Sequence, residues 1–229
     1  MKNNKLICII PARAGSKRIK NKNIKFFLGK PIIVWTIELA LKSKLFDKII
    51  VSTNSKKIAN ISKKFGAEII FRKKNLSGDK TTTKEVLLDT IKKINYKNYK
   101  YFFCIYPCSP LIKTKHLKEG LQKIKSTNYD SLTAITNFDH PPQRALKKKG
   151  NNIQFYNKLS KNKNTQSFEV LYRDSGSFYI YKTKNFISKS ILKNTYYDIP
   201  KAFSVDIDTI EDFNLAELIA KGMGLDGRN

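Results

Sequence analysis

Short β-branched apolar runs alternate in this chain with stretches whose apolar residues recur at helical spacing. No other feature constrains the fold as much. The strand-like runs are Leu6–Ile10, Lys48–Ser52, Glu68–Phe71, Tyr101–Tyr106 and Ser131–Thr136, then Ser177–Tyr181 and Ala202–Val205. The helix-like stretches are Ile32–Leu41, Ile58–Phe65, Lys84–Ile94, Leu117–Ile124 and Ile210–Ala220. This order predicts an α/β fold: a mostly parallel sheet, helices on both faces, right-handed crossovers. Thr209 or the preceding aspartate suits the N-cap of the last helix. The rhythm breaks between residues 138 and 172, around Pro141-Pro142. That segment is too short for a core of its own and reads as an arm inserted into a single domain spanning 1–229. Residues from Gly222 to Asn229 read as a frayed tail.

Composition removes several function classes. No apolar run approaches the ~18 residues of a membrane span. The N-terminal Met1-Lys2-Asn3-Asn4-Lys5 and the six apolar residues before Ala12-Arg13 read as a core strand, not a secretion signal. Lys and Arg number 45 against 18 Asp and Glu, a net charge of +27. These cations are spread along the whole chain, and no nucleic-acid-binding motif accompanies them, so a basic nucleic-acid binder is the weaker reading. Cys8, Cys104 and Cys108 form no CxxC pair, and Cys8 and Cys104 sit in apolar runs. Such thiols fit a reducing compartment, which predicts a cytoplasmic protein. His116 reads as a solvated helix residue and His140 as a turn residue.

Four polar clusters can carry chemistry. The first strand runs into Pro11-Ala12-Arg13-Ala14-Gly15-Ser16-Lys17-Arg18, followed by Lys22-Asn23. Ligands of open α/β sheets sit at strand carboxyl ends. Gly15 allows close backbone approach, neighbouring N–H groups can form an anion nest, and Arg13 and Lys17 can neutralise phosphate oxygens. Neither the GxxxxGK[ST] loop nor GxGxxG is present; a solvated basic loop is the alternative. The second cluster is Asp206-Ile207-Asp208. On extended backbone the two carboxylates face one side and suit Mg²⁺, although Asp208 also suits a helix cap. The third is Arg72 with Asp79 and Thr81-Thr82-Thr83. It fits a helix N-cap at least as well as a nucleotide contact, though the Thr83 hydroxyl remains available to a nucleotide. The fourth is His140-Pro141-Pro142-Gln143-Arg144 with Tyr172-Arg173-Asp174-Ser175-Gly176, flanking the arm.

These residues resemble the acylneuraminate cytidylyltransferases. The likeness lies in Ile10-Pro11-Ala12-Arg13-Ala14-Gly15-Ser16-Lys17-Arg18-Ile19 and Asn21-Lys22-Asn23-Ile24. It continues through Gly29-Lys30-Pro31, Phe46-Asp47-Lys48-Ile49-Ile50-Val51-Ser52-Thr53, Phe65-Gly66-Ala67-Glu68 and Asp206-Ile207-Asp208-Thr209, about residues 5–220. The later segments look most like the pseudaminic acid branch: Pro142-Gln143-Arg144-Ala145-Leu146, Arg173-Asp174-Ser175-Gly176-Ser177-Phe178-Tyr179, Lys17-Arg18, and Tyr106 where sialic acid enzymes carry Gln. The chain departs from the family at Lys20 for a usual Pro, at Arg173 for a His, and at Asn54 for a common Asp, the last a peripheral change.

The resemblance implies a Rossmann-like nucleotidyltransferase fold and a homodimer joined through the arm. It implies CMP transfer from CTP to a nine-carbon acidic sugar, pseudaminic acid foremost, with N-acetylneuraminate, legionaminate or 3-deoxy-octulosonate as alternatives. Ala12, Arg13, Gly15, Ser16, Lys17, Lys22 and Asn23 would hold the triphosphate and ribose, with Arg72 and Thr83 near the cytidine. Asp206 and Asp208 would carry Mg²⁺ and, with Arg13 and Lys17, form the catalytic set. Tyr106, Gln143, Arg144, Arg173 and Asp174 would meet the sugar.

Overall fold

The structure, a computed structural model, describes residues 5–157 and 162–225. In chain order the elements of the first half are β1 (Lys5–Pro11), β2 (Phe26–Phe27), β3 (Lys30–Pro31), α1 (Ile32–Ser43), β4 (Lys48–Thr53), α2 (Lys56–Lys64), β5 (Glu68–Phe71), α3 (Thr83–Lys92) and β6 (Tyr99–Ile105). The second half holds α4 (Thr114–Lys125), β7 (Ser131–Asn137), β8 (Leu146–Lys149), β9 (Asn152–Phe155), β10 (Tyr172–Lys182), α5 (Thr183–Ser188), β11 (Asn194–Asp198) and α6 (Ile210–Gly222).

Among the described residues, seven strands form one sheet in the order β11-β7-β10-β6-β1-β4-β5. The pairs β1–β4, β1–β6, β4–β5 and β11–β7 are parallel, whereas β10 runs antiparallel to both β6 and β7. One core lies between the sheet and α1, α2 and α4, built from residues such as Ile10, Ile33, Ile58, Leu117 and Phe103. A second lies on the other face under α3 and α5, with Ile9, Leu87, Phe102 and Phe186. The central strands therefore read as continuous apolar runs, because both of their faces are covered. α6 closes a third cluster beyond the strand ends, where Phe213 meets Phe27 edge-on and Ile19, Ile32 and Ile207 are buried beside it.

Three expectations need correction. Ala202–Val205 is not a strand: Lys201–Phe203 forms a 3-10 turn after Pro200, and an irregular segment follows. The edge position belongs to β11, whose polar Asn194-Thr195-Tyr196-Tyr197-Asp198 gives little apolar signal because only one face is covered. His116 is not solvated. It is 1% exposed, its Nδ1 accepts from the Lys113 N–H at 3.2 Å, and it packs edge-on against Phe203. Burial lowers its pKa to about 4, so the ring is neutral. β10 is also longer than the apolar pattern allows, with a register shift between Asp174 and Tyr179.

The segment 138–172 holds a 3-10 turn at Pro142–Arg144 and the hairpin β8–β9, which pairs outside the main sheet. Residues 158–161 of the arm and 226–229 of the expected frayed tail lie outside the described residues.

Candidate active site

β1 ends at Pro11, and the chain turns through 13–23 over the carboxyl edge of the sheet. The Ala12 N–H bonds the Ser52 carbonyl at 2.9 Å, and the Ala14 N–H bonds Asn54 Oδ1 at 2.8 Å. Asn54 is therefore not peripheral: it ties this loop to the end of β4. Gly15 has φ +89, which an L side chain resists. No hydrogen bond within the described residues engages the backbone N–H groups of Gly15, Ser16 or Lys17. Free amides beside cations form an anion cradle. The return limb is pinned by Asn23, buried, whose Nδ2 donates to the Arg13 carbonyl at 2.9 Å and whose Oδ1 accepts from Cys108 Sγ at 3.3 Å.

This loop borders a cavity of about 510 Å³. Arg13, Ser16, Lys17 and Lys22 line one side, and Asp206 and Asp208 line another. Ile207 lies between the aspartates, 1% exposed in the α6 cluster. Its burial, worth roughly 1.5–3 kcal/mol, turns both carboxylates outward. Extended alternation thus does what the sequence pattern predicted without a strand to carry it. Thr209, not Asp208, caps α6, accepting from the Asp212 N–H and closing a capping box with the Asp212 side chain. Asp208 is left free to face the cavity.

Charge is organised in two clamps. Asp79 accepts from Arg13 Nη1 at 2.7 Å and pairs with Lys17 Nζ at 2.6 Å. These two cations hold its carboxyl below the usual range. Asp208 pairs with Arg18 Nη2 at 2.8 Å and Lys22 Nζ at 3.3 Å, and Lys22 also donates to the Ile207 carbonyl at 2.7 Å. Among the described residues Asp206 has no such partner. Burial, then the Asp208 charge, pushes its pKa up. Gly176, φ +62, comes close beneath it: a Cβ there would stand 3.4 Å from the Asp206 carboxyl carbon.

Two carboxylates forced together suit a hard divalent cation that completes its shell with water and phosphate oxygens. Among the described residues no group of three or more His, Cys, Asp or Glu side chains can hold a metal by itself. The chemistry of this pair fits a hard divalent cation such as Mg²⁺.

The other residues singled out from sequence fall in different places. Arg72 is spent on β4, donating through Nε and Nη2 to the Ser52 carbonyl at 3.2 and 2.8 Å. Burial, then the nearby charge of Arg13, lowers its pKa to about 10. Thr82 caps α3 in a capping box with Glu85, while Thr83 Oγ1 shares a 2.9 Å hydrogen bond with Tyr106 Oη. Tyr106 lines the cavity. Arg173 Nη2 donates to the Ser204 carbonyl at 3.2 Å, and Asp174 accepts from the Gly176 N–H and from Tyr179 Oη at 2.9 and 2.7 Å. Gln143 Nε2 donates to the Glu169 carbonyl, and Arg144 lies over the Phe155 ring. Within one chain these two belong to the arm and do not line the cavity. The sequence alone assigned no role to Arg18 or Tyr179 and left Asp79 between a helix cap and a nucleotide contact. Both Arg18 and Tyr179 lie inside the family-like motifs, but only folding shows what they touch.

A mostly parallel α/β sheet with a cationic, glycine-bearing loop and an aspartate pair at its carboxyl edge fits a nucleotidyltransferase. Residues 7–223 match the family described as Cytidylyltransferase, and the chain belongs to that family. It is 35% identical over 224 residues to a pseudaminic acid cytidylyltransferase of Campylobacter jejuni, covering 95% of this chain and 97% of that protein. It is 34% identical over 216 residues to an N-acylneuraminate cytidylyltransferase of Streptococcus agalactiae, covering 91% of this chain and 52% of that one. A solved CMP:2-keto-3-deoxy-manno-octonic acid synthetase complexed with CTP shares the fold, with TM-score 0.72 at 15% identity, covering 96% of this chain and all of that one.

Proposed function

We propose that the protein transfers CMP from CTP to the anomeric hydroxyl of a nine-carbon acidic sugar, pseudaminic acid first, and releases pyrophosphate. The cavity where the Arg13–Lys22 loop faces Asp206 and Asp208 carries this reading. A triphosphate brings about four negative charges. Arg13, Lys17, Arg18 and Lys22 are the cations beside it, and the free amides of 15–17 supply fixed dipoles. The loop is tied down through Asn54 and Asn23, so these donors are in place before charge develops on the leaving pyrophosphate. Triphosphate binding would release Asp79 from Arg13 and Lys17, exchanging one anion for another. Asp206 and Asp208 would hold Mg²⁺, which would supply positive charge against the phosphates and make the attacking hydroxyl more acidic. The work of the side chains is then positioning for in-line displacement and charge neutralisation, with no covalent enzyme intermediate.

The relatives' names support an acidic sugar as acceptor, and the Campylobacter relative, matched along 97% of its length, favours pseudaminic acid. The arm supports a homodimer: Leu146, Ile153, Tyr156 and Val170 present large apolar side chains to solvent. In a second subunit Gln143 and Arg144 would reach a neighbouring acceptor site. All three cysteines are free thiols, which supports the cytoplasm as the compartment. No helix among the described residues is long and apolar enough to cross a membrane. The test is pyrophosphate release with CTP, Mg²⁺ and a panel of nine-carbon 2-keto acids. Turnover highest with pseudaminic acid is expected; release with none of them would reject the assignment.

A further inference from the structure

The segment between β5 and α3 brings one carboxylate, Asp79, to the cavity wall beside the 13–23 loop. Both ends of this segment are fastened without it. At one end the Arg72 N–H bonds the Thr53 carbonyl at 2.9 Å, and the Arg72 side chain holds the Ser52 carbonyl. At the other end Thr82 and Glu85 close the capping box of α3. Between them the hydrogen bonds are local, as from the Thr81 N–H to the Gly78 carbonyl at 3.3 Å. Among the described residues, every hydrogen bond and ion pair from 73–81 to the 13–23 loop runs through Asp79. The fold of the segment therefore does not depend on this carboxylate.

The contact itself has the form of a phosphate contact. Asp79 Oδ1 takes Arg13 Nη1 and Oδ2 takes Lys17 Nζ, one oxygen for each cation. Two oxygens of a phosphate group would bridge the same pair in the same way. Asp79 is half-exposed and Lys17 is exposed, so water screens both ion pairs and they open readily. Asp79 thus stands where a polyphosphate would bind, and while it stays its charge repels an arriving phosphate.

We infer that Asp79 is an internal competitor for the phosphate cradle and sets which phosphate groups the cradle accepts. The inference rests on the proposed CMP transfer and extends it. A ligand that displaces Asp79 must itself bridge Arg13 and Lys17. The linked terminal phosphates of CTP do so, and so does free pyrophosphate. The single phosphate of CMP, which belongs beside Asp206 and Asp208, does not. After transfer, the return of Asp79 to the two cations weakens their hold on the departing pyrophosphate.

The test compares wild type with Asp79→Asn, which keeps the side-chain shape and removes the charge. Titration calorimetry in metal-free buffer measures binding of CTP, inorganic pyrophosphate and CMP. Asp79→Asn should bind CTP and pyrophosphate roughly 5-fold tighter, the size expected from two screened surface pairs, and CMP within about 1.5-fold of wild type. The gain should fade at about 1 M salt. In steady-state turnover, pyrophosphate should inhibit the variant at correspondingly lower concentration. If the asparagine oxygen keeps one of the cations, Asp79→Ala decides. Folded variants, of unchanged Tm, that bind CTP and pyrophosphate no tighter than wild type overturn the inference and leave the transferase reading in place. An equal gain for CMP also overturns it, since that would be an effect of net charge alone. A wild-type protein that binds neither CTP nor pyrophosphate, with or without Mg²⁺, overturns both.

Discussion

The loop at 13–23 and the arm at 138–172 carry comparable polar residues, yet the fold treats them oppositely. In the loop, Asn23 is buried, Asn54 and Ser52 fix the backbone, and Lys22 bonds both Ile207 and Asp208. In the arm, Gln143 and Arg144 donate, among the described residues, to backbone carbonyls of the arm itself, and the apolar side chains face outward. A site built on sheet ends can be complete within one chain, because the sheet supplies the buried support. A two-stranded hairpin has no second layer, so its order and its chemistry wait for another surface.

The largest expected effect tests the rigid region. Asp206→Asn or Asp208→Asn should lower kcat on the order of 10²-fold or more, as for loss of a main electrostatic stabiliser. The two should part in stability. The pKa of Asp206 is raised in the fold. A carboxyl of that kind favours folding while protonated and opposes it as pH rises from the unfolded value through the folded one. Asp206→Asn should therefore keep or raise Tm in metal-free buffer at neutral pH. Asp208→Asn, which strands Arg18 and Lys22, should lower it. Calorimetry on both variants measures the difference, and equal losses of Tm would contradict the electrostatic picture.

Next come the cations. Lys22 is three-quarters covered and doubly bonded, whereas the Lys17 side chain is 79% exposed. Position in the motif would rank Lys17 first, but these surroundings rank Lys22 first. Lys22→Ala should lower kcat/KM for CTP more than Lys17→Ala does, roughly 10²-fold against 10-fold. Steady-state kinetics with varied CTP would refute this ranking if Lys17→Ala is the more damaged, and would remove the loop as triphosphate cradle if neither changes.

The arm should respond in assembly before chemistry. Ile153→Asp, at a side chain 68% exposed, should leave the monomer's Tm unaltered within about 2 °C, since surface changes are small. Sedimentation should show it shifted from dimer to monomer. A variant that stays dimeric places the interface elsewhere.

The smallest effect on activity is expected at Asp130, near the end of β10 remote from the cavity. Its buried carboxylate accepts from the Lys193 N–H at 3.0 Å, from Lys189 Nζ at 2.9 Å and from Asn185. These donors hold its pKa at about 2. Their contribution is complete above the unfolded carboxylate value near ~3.9 and is lost as pH falls through about 2. Asp130→Asn should lower Tm at pH 7 with kcat nearly unchanged, and its gap from wild type should close toward pH 2. A constant gap across that range would show that the charge is not what matters.

The backbone plan was legible because strand and helix periods are local. Leu6–Ile10 announces a buried strand by its own side chains, and Thr209 or the preceding aspartate announces a cap. The phosphate-type loop and the aspartate pair were legible for the same reason: each lies within a dozen residues, and Asp206-Ile207-Asp208 needs only extended backbone to aim both carboxylates one way. β11 was not legible, since an edge strand with one covered face needs no apolar run. Nor was His116, which reads as polar and is buried because Phe203, distant in sequence, closes over it. The pairing of Asp79 with Arg13 and Lys17, the grip of Arg18 and Lys22 on Asp208, and the row of rings from Tyr106 through Tyr179 and Tyr181 to Phe186 each join segments tens of residues apart. One chain without alignment carries no record of such pairs. They exist because the crossovers of a parallel sheet bring the ends of β1, β5, β6 and β10 to one edge, and only there do side chains with no mutual sequence signal come within hydrogen-bonding distance.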